Sequence, residues 1–91
     1  MSKVIITLQV MPESPEVDLK LLEAAVCKDI FHWTGQGVDK VEVVPVAFGL
    51  QALKIIFKVS EDRGGTEPLE KQVATIAGVN SVEVIGLDRT F

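Results

Sequence analysis

The sequence predicts an α+β fold in which two helices cover one face of a four-stranded antiparallel sheet. Two segments show the alternation of apolar residues that is typical of half-buried strands, and two others carry apolar residues at helical spacing. These segments follow one another in the order βαββαβ once two further short apolar runs are counted as strands. Each half of that order is a strand, a helix and a second strand.

The first half begins with a strand over Val4 to Val10, where the even positions are apolar. A Met-Pro-Glu-Ser-Pro run then breaks the pattern, and Asp18 is suited to cap a helix. The helix should end between Trp33 and Gly37. Its apolar stripe consists of Leu19, Leu22, Val26 and Ile30.

The next two strands are predicted around Asp39 to Val46 and Leu50 to Val59. In the second of these, Lys54 and Lys58 fall on the outer face of the sheet. The residues that alternate with them should face the helices: Leu53, Ile55, Phe57 and Val59.

After a turn at Arg63-Gly64-Gly65, Thr66 is suited to cap a second helix with Glu67 and Pro68 in its first turn. Gly78 stands where a left-handed residue ends a helix, and Val82 to Leu87 should form a short last strand. The predicted buried stripe of this helix is Leu69, Val73, Ile76 and Ala77.

Two βαβ halves with right-handed crossovers place both helices on the same side of the sheet. This is the ferredoxin-like βαββαβ sandwich. A chain of 91 residues suits one such domain over residues 1–91.

Composition excludes several classes of function. A net charge of −4 and a pI of about 4.8 argue against direct binding of nucleic acid and favour a protein partner. The lone Cys27 allows neither an intrachain disulfide nor a Cys-x-x-Cys metal loop, so we expect no metal and no cofactor. No apolar run approaches the ~18 residues that span a bilayer, which predicts a soluble cytoplasmic protein.

Catalytic chemistry is poorly provided for. The single histidine, His32, is predicted at the end of the first helix without a convincing nucleophile nearby, and Cys27 lies close to the apolar stripe. Gly64-Gly65-Thr66 precedes a helix but lacks the lysine of a phosphate-binding loop. The sequence therefore predicts that the protein is not an enzyme and has no catalytic residues.

The link between the second and third strands is the most informative segment of the chain. In Pro45-Val46-Ala47-Phe48-Gly49-Leu50, a bulky aromatic stands between small residues where two strands meet. Exposed there, Phe48 would be an anchor for a partner; folded inward, it would cap the core.

The outer face of the sheet offers a second, different hypothesis. It combines apolar and cationic side chains, which suits a ferredoxin-like module that binds a small ligand or oligomerises through its sheet. A solvated face with a few tolerated isoleucines accounts for the same pattern. The residues concerned are Lys3, Ile5, Thr7, Gln9, Lys54, Ile56 and Lys58.

Nearly the whole chain resembles the guanine-nucleotide exchange domain of translation elongation factor 1-beta, in its short archaeal form. The resemblance is carried by Met11-Pro12 before Asp18-Leu19, the Pro45 to Leu50 segment, the strand end Val59-Ser60-Glu61-Asp62 and the closing Asp88-Arg89. It implies a monomer that binds the GTPase elongation factor 1-alpha, in its GDP-bound and nucleotide-free forms, and speeds replacement of GDP by GTP during polypeptide elongation.

The resemblance also implies which residues contact the GTPase. Phe48, flanked by Ala47 and Gly49, corresponds to an aromatic that enters a pocket on the GTPase. Arg89, next to Asp88, corresponds to a basic residue that approaches the magnesium and phosphate region. Arg89 stands where the family pattern usually has lysine, whose compact ammonium fits a site differently from a guanidinium.

Overall fold

The computed structural model describes residues 3–60 and 65–90, with the side chain of Thr90 left aside. Its elements run in the predicted order: β1 (Lys3–Pro12), α1 (Leu19–Thr34), β2 (Lys40–Pro45), β3 (Gln51–Ser60), α2 (Glu67–Ala74) and β4 (Val79–Thr90). The sheet has the strand order β2-β3-β1-β4, and every neighbouring pair is antiparallel. The ferredoxin-like α+β fold is confirmed.

The core lies between the sheet and the helices. β1 alternates strictly between buried and half-exposed positions, and the four β3 residues that were predicted to face the helices are buried. Three α1 residues from the predicted stripe are also buried, whereas Leu19 is half-buried at the edge of the core. Among the described residues, no buried polar or charged side chain interrupts this core.

Helix α1 begins and ends where the sequence predicts. The carboxylate of Asp18 accepts hydrogen bonds from the backbone N–H groups of Lys20 (2.9 Å) and Leu21 (3.4 Å), which satisfies two donors that the first helical turn leaves unpaired. Gly35 ends the helix with φ +78°, and its N–H donates to the Phe31 carbonyl. Both ends are thus fixed by local chemistry.

Helix α2 begins directly after Thr66, with Glu67 and Pro68 in its first turn as predicted, but ends earlier than predicted. Thr66 precedes it, but its hydroxyl makes no hydrogen bond to the backbone of the first turn; instead it donates to Oε2 of Glu70 at 2.9 Å. The helix ends at Ala74, so Ile76 and Ala77 lie in the following turn, the first half-buried and the second exposed. Gly78 does have a positive φ of 94°, but it serves the turn into β4 rather than the end of the helix.

Strand β4 is much longer than predicted, and it contains a bulge. Leu8 pairs with Val84 and Thr7 with Gly86, which leaves Ile85 as an extra residue. The expected Val82 to Leu87 strand covers only its middle. β1 is also longer than predicted and runs through Pro12.

Some sequence predictions fall outside the described residues. They are the turn at Arg63-Gly64 and the Glu61-Asp62 pair. Within the described ranges, no helix has the length and apolar character required to cross a bilayer.

Candidate partner-binding site

The β2–β3 connection is a tight turn centred on Phe48 and Gly49. The backbone N–H of Leu50 donates to the Ala47 carbonyl at 3.0 Å, and the N–H of Val46 donates to the Leu50 carbonyl at 2.9 Å. The central residues have φ +57° and +77°. Positive φ at both central positions is the mark of a type I′ turn, whose twist matches that of the flanking strands.

Phe48 is held in the left-handed conformation with almost its whole side chain in water. Its exposed fraction is 95%, and it is the single described non-glycine residue with a positive φ. The left-handed region costs an ordinary L-residue ~1–2 kcal/mol, and asparagine or glycine is usual at this position of the turn. A strained backbone that presents an unpacked aromatic contributes nothing to the stability of the free protein, which points to a role in binding.

The neighbours of Phe48 are small or apolar and leave it unobstructed. Ala47 and Gly49 are exposed, and Val46 (45% exposed) and Val43 (48%) add apolar surface along the adjoining edge strand. Of the two predicted orientations of Phe48, the structure therefore shows the exposed one. The alternative, in which Phe48 folds inward and caps the core, is excluded.

Asp88 and Arg89 lie at the other end of the sheet. Both are exposed. Arg89 pairs with Val4, which also pairs with Val59 near the end of β3, whereas the Phe48 turn precedes the first residue of β3, Gln51. The eight steps from Gln51 to Val59 correspond to about 27 Å at ~3.4 Å per residue. The structure thus brings Ala47, Phe48 and Gly49 together, but places Asp88 and Arg89 far from them.

The bulge in β4 decides which face each of these two residues occupies. Beyond Ile85, Asp88 pairs with Ile5 and Leu87 with Ile6. Had the register of Leu8 and Val84 continued, Leu87 would have paired with Ile5, because one inserted residue exchanges the two faces of a strand. Asp88 therefore lies on the outer face of the sheet, and Arg89 lies towards the helix side with Val4.

The outer face of the sheet carries exposed ion pairs between its side chains. Lys40 Nζ lies 2.8 Å from Glu42 Oε1, and Lys58 Nζ lies 3.9 Å from Asp39 Oδ2. The hydrogen bond from Lys40 lowers the pKa of the Glu42 carboxyl and raises the pKa of the Lys40 ammonium. At this exposure such pairs contribute little to stability.

The residues weighed for chemistry do not assemble a reactive site. Exposed His32 stacks edge-on against Phe31 at 6.5 Å, beside an open groove of about 460 Å³ between the two helices that half-buried Trp33 also lines. Burial raises the pKa of the Cys27 thiol, and the carboxylate of Glu23 raises it further, so the unreactive thiol form is favoured. No group of metal-ligating side chains occurs among residues 3–60 and 65–90.

Two features of the site were missed in the sequence. One is the left-handed conformation of Phe48, for which Gly49 in the second central position of a two-residue link was a signal. The other is the bulge, which is marked by the apolar pattern changing phase between Val84 and Ile85.

The fold and the turn define a small ferredoxin-like α+β module that exposes an aromatic side chain, Phe48, at the tip of a hairpin. The model of the EF-1 guanine nucleotide exchange domain family matches residues 5–89 of this chain. The chain belongs to that family, which confirms the resemblance seen in its motifs and identifies it as a guanine-nucleotide exchange factor.

Relatives named elongation factor 1-beta match almost end to end. The protein from Methanobrevibacter smithii is 44% identical over 92% of both chains, and that from Methanothermobacter thermautotrophicus is 39% identical over 98% of both. The protein from Staphylothermus marinus is 40% identical, again over 98% of both chains. These relatives support the archaeal short form, and they do not favour a small-ligand or oligomerisation module.

A solved structure shares the fold alone. BlrP1 BLUF superposes with a TM-score of 0.52 at 16% identity, over 99% of this chain and 56% of its own. The ferredoxin-like architecture therefore carries no functional information by itself.

Proposed function

We propose that this protein, as a single unit over residues 1–91, binds elongation factor 1-alpha and replaces its GDP by GTP without forming any covalent bond. The observation that carries the proposal is Phe48, which is 95% exposed at the tip of a strained turn. The family assignment supplies the reaction class and, together with the resemblance of the motifs, implies elongation factor 1-alpha as the partner. The protein acts as a monomer, in the cytoplasm where translation takes place, and needs no cofactor or nucleic acid of its own.

Exchange follows from the relative affinities of two states of the GTPase. A factor that binds the nucleotide-free GTPase more tightly than the loaded one must, by thermodynamic linkage, weaken nucleotide binding by the same ratio. Burial of a phenylalanine side chain contributes roughly 1.5–3 kcal/mol. Each ~1.4 kcal/mol is a factor of ten in affinity, so Phe48 alone could supply one to two decades if its pocket is better formed in the nucleotide-free state.

The strained turn makes Phe48 a ready anchor. Since the side chain makes no packing contacts in the free protein, none have to be broken on binding. The I′ turn and the β2–β3 ladder already hold the aromatic outward, which lowers the ordering cost that a flexible loop would incur.

Arg89 and Asp88 are proposed to form a second contact, at the opposite end of the sheet. A guanidinium brought close to the magnesium and phosphates of the GTPase would repel the ion and compete for phosphate oxygens. The separation of about 27 Å means that the two contacts reach different parts of the partner, at ~3.4 Å per residue along β3.

The test is release of a fluorescent GDP analogue from elongation factor 1-alpha, with wild type and with Phe48→Ala. Phe31→Ala is the matched control, because Phe31 is also an exposed aromatic (54%) but lies on α1. We expect wild type and Phe31→Ala to accelerate release, and Phe48→Ala to lose at least about tenfold at limiting factor, the effect of ~1.4 kcal/mol. A folded Phe48→Ala protein with full activity would refute the assignment of the anchor.

A further inference from the structure

We infer that Pro15, in the loop between β1 and α1, is a positioning residue that braces the turn carrying Phe48. The inference rests on the proposed function for its biological meaning, but its structural core can be tested without the GTPase. It accounts for part of the Met-Pro-Glu-Ser-Pro run, which the exchange function has so far left unexplained.

The two loops lie side by side, with Pro15 next to Gly49. A Cβ placed on Gly49 would lie 4.0 Å from Cγ of Pro15, and no other residue outside the turn approaches that position within 4 Å. Pro15 and Gly49 both line a small open pocket of about 20 Å³, which has room for about one water molecule. The Pro15 ring therefore lies about one methyl group away from Gly49 and limits how far the turn can move towards the β1–α1 loop.

The loop that carries Pro15 is itself anchored. The N–H of Glu13 donates to the Gly78 carbonyl at 2.8 Å, which ties the loop to the α2–β4 turn. The N–H of Val17 donates to the Ser14 carbonyl at 3.3 Å, and the Ser14 hydroxyl accepts from the N–H of Glu16 at 3.3 Å. Between these bonds the proline ring fixes its own φ, so Pro15 presents a stiff surface to the turn.

The turn needs such a support more than most hairpins do. Backbone hydrogen bonds between Ala47 and Leu50 and between Val46 and Leu50 close the turn. The Phe48 side chain, however, makes no packing contact that could hold the tip of the turn in place. The strained φ of Phe48 persists only if the surroundings favour it. Outside the turn itself, the residue nearest to Gly49 is Pro15, which belongs to the loop between β1 and α1.

The first test follows Phe48 in the free protein by fluorine NMR of the chain labelled with fluorophenylalanine, the Phe48 signal being assigned by its loss in Phe48→Ala. We expect Pro15→Gly to shift or broaden the Phe48 signal and to leave that of buried Phe57 unchanged. Pro68→Gly is the matched control, because Pro68 is also an exposed proline but lies in α2, which begins at the opposite end of the sandwich. An unmoved Phe48 signal in Pro15→Gly would overturn the inference.

The second test is a double-mutant cycle in the nucleotide-release assay. Pro15→Gly should reduce exchange about two- to tenfold at limiting factor, within the range usual for residues coupled through a backbone shift, and should add nothing in the Phe48→Ala background. A merely structural role would give the same loss in both backgrounds, which would overturn the inference. If Pro15→Gly fails to fold, Pro15→Ala, which also removes the ring but leaves the backbone less free than glycine does, takes its place in both tests.

The two proposals fail separately. If wild type does not accelerate release, the proposed function fails, while the NMR comparison still decides whether Pro15 positions Phe48. If wild type is active and Pro15→Gly matches it in both assays, the inference fails and the proposed function stands.

Discussion

Phe48 and Arg89 lie at opposite ends of the sheet, because β3 and β4 run parallel to each other on either side of β1. Phe48 precedes the first residue of β3, whereas Arg89 is the last but one residue of β4. The separation along the strands is about 27 Å at ~3.4 Å per residue. Two residues so far apart share no neighbours in the free protein. If both contact the GTPase, they do so as independent points on a rigid body.

Independence predicts that the effects of Phe48→Ala and Arg89→Ala multiply. Substitutions more than ~10 Å apart are usually additive within about 0.3–0.5 kcal/mol, which is roughly a factor of two in rate. We expect the double variant to lose exchange activity by the product of the two single losses. The measurement is nucleotide release at limiting factor for all four proteins.

Two outcomes would contradict this picture. A double variant no worse than Phe48→Ala would mean that Arg89 acts only through the anchor. A folded Arg89→Ala protein with wild-type activity would remove Arg89 from the contact surface.

Because the turn is strained at Phe48, a residue that suits the turn better should raise the stability of the protein but lower its exchange activity. Phe48→Asn would give the Asn-Gly pair that a type I′ turn prefers, and no core contact would be lost because the side chain is 95% exposed. We expect a gain of about 0.5–1 kcal/mol in the free energy of unfolding, or ~2–8 °C in the thermal midpoint for a domain of this size, together with loss of exchange. Thermal unfolding by circular dichroism measures the first.

Ala47→Asn provides the control for this gain. Ala47 is the first residue of the turn but does not have a positive φ, so asparagine there should not relieve the strain. Equal stabilisation by both substitutions would mean that turn strain is not the cause.

Local signals predicted much of the fold, and they failed where the sheet overrides them. Asp18 and Gly35 mark the ends of α1, and both ends were predictable because a cap is a property of a few adjacent residues. Strand β4 was underestimated because its two ends contain few alternating apolar residues, and their strand conformation depends on pairing with β1.

Part of the candidate site was also predictable from the sequence, and part was not. The Phe48 link stands out in the sequence, and the order βαββαβ already implies that Arg89 lies at the other end of the sheet. The proximity of Pro15 and Gly49 was not predictable, since these residues belong to loops more than thirty positions apart in the sequence. Such contacts depend on tertiary packing.

The buried surroundings of Cys27 predict slow alkylation in the folded protein. Burial first, and the Glu23 carboxylate second, raise the pKa of the thiol, so less reactive thiolate forms at a given pH than in the unfolded chain. We expect iodoacetamide at pH 8 to modify the folded protein more slowly than the protein in urea, with Glu23→Gln modestly faster than wild type. Cys27→Ser gives the background, and equal rates in the folded and unfolded states would show that the thiol is not shielded.

Among the described glycines without a positive φ, Gly86 is the one where we expect an added side chain to cost the most stability. A Cβ at Gly86 would lie 3.2 Å from both Cβ and Oγ1 of Thr7, which is anchored in the central strand β1 and has little room to move. Gly86→Ala should therefore lower the free energy of unfolding by about 1–3 kcal/mol, the usual cost of overpacking. Gly37→Ala is the matched control, because nothing lies within 4 Å of its added Cβ. Denaturant unfolding of both variants decides the matter: a Gly86→Ala protein as stable as Gly37→Ala would show that the β4 bulge can absorb the added methyl group.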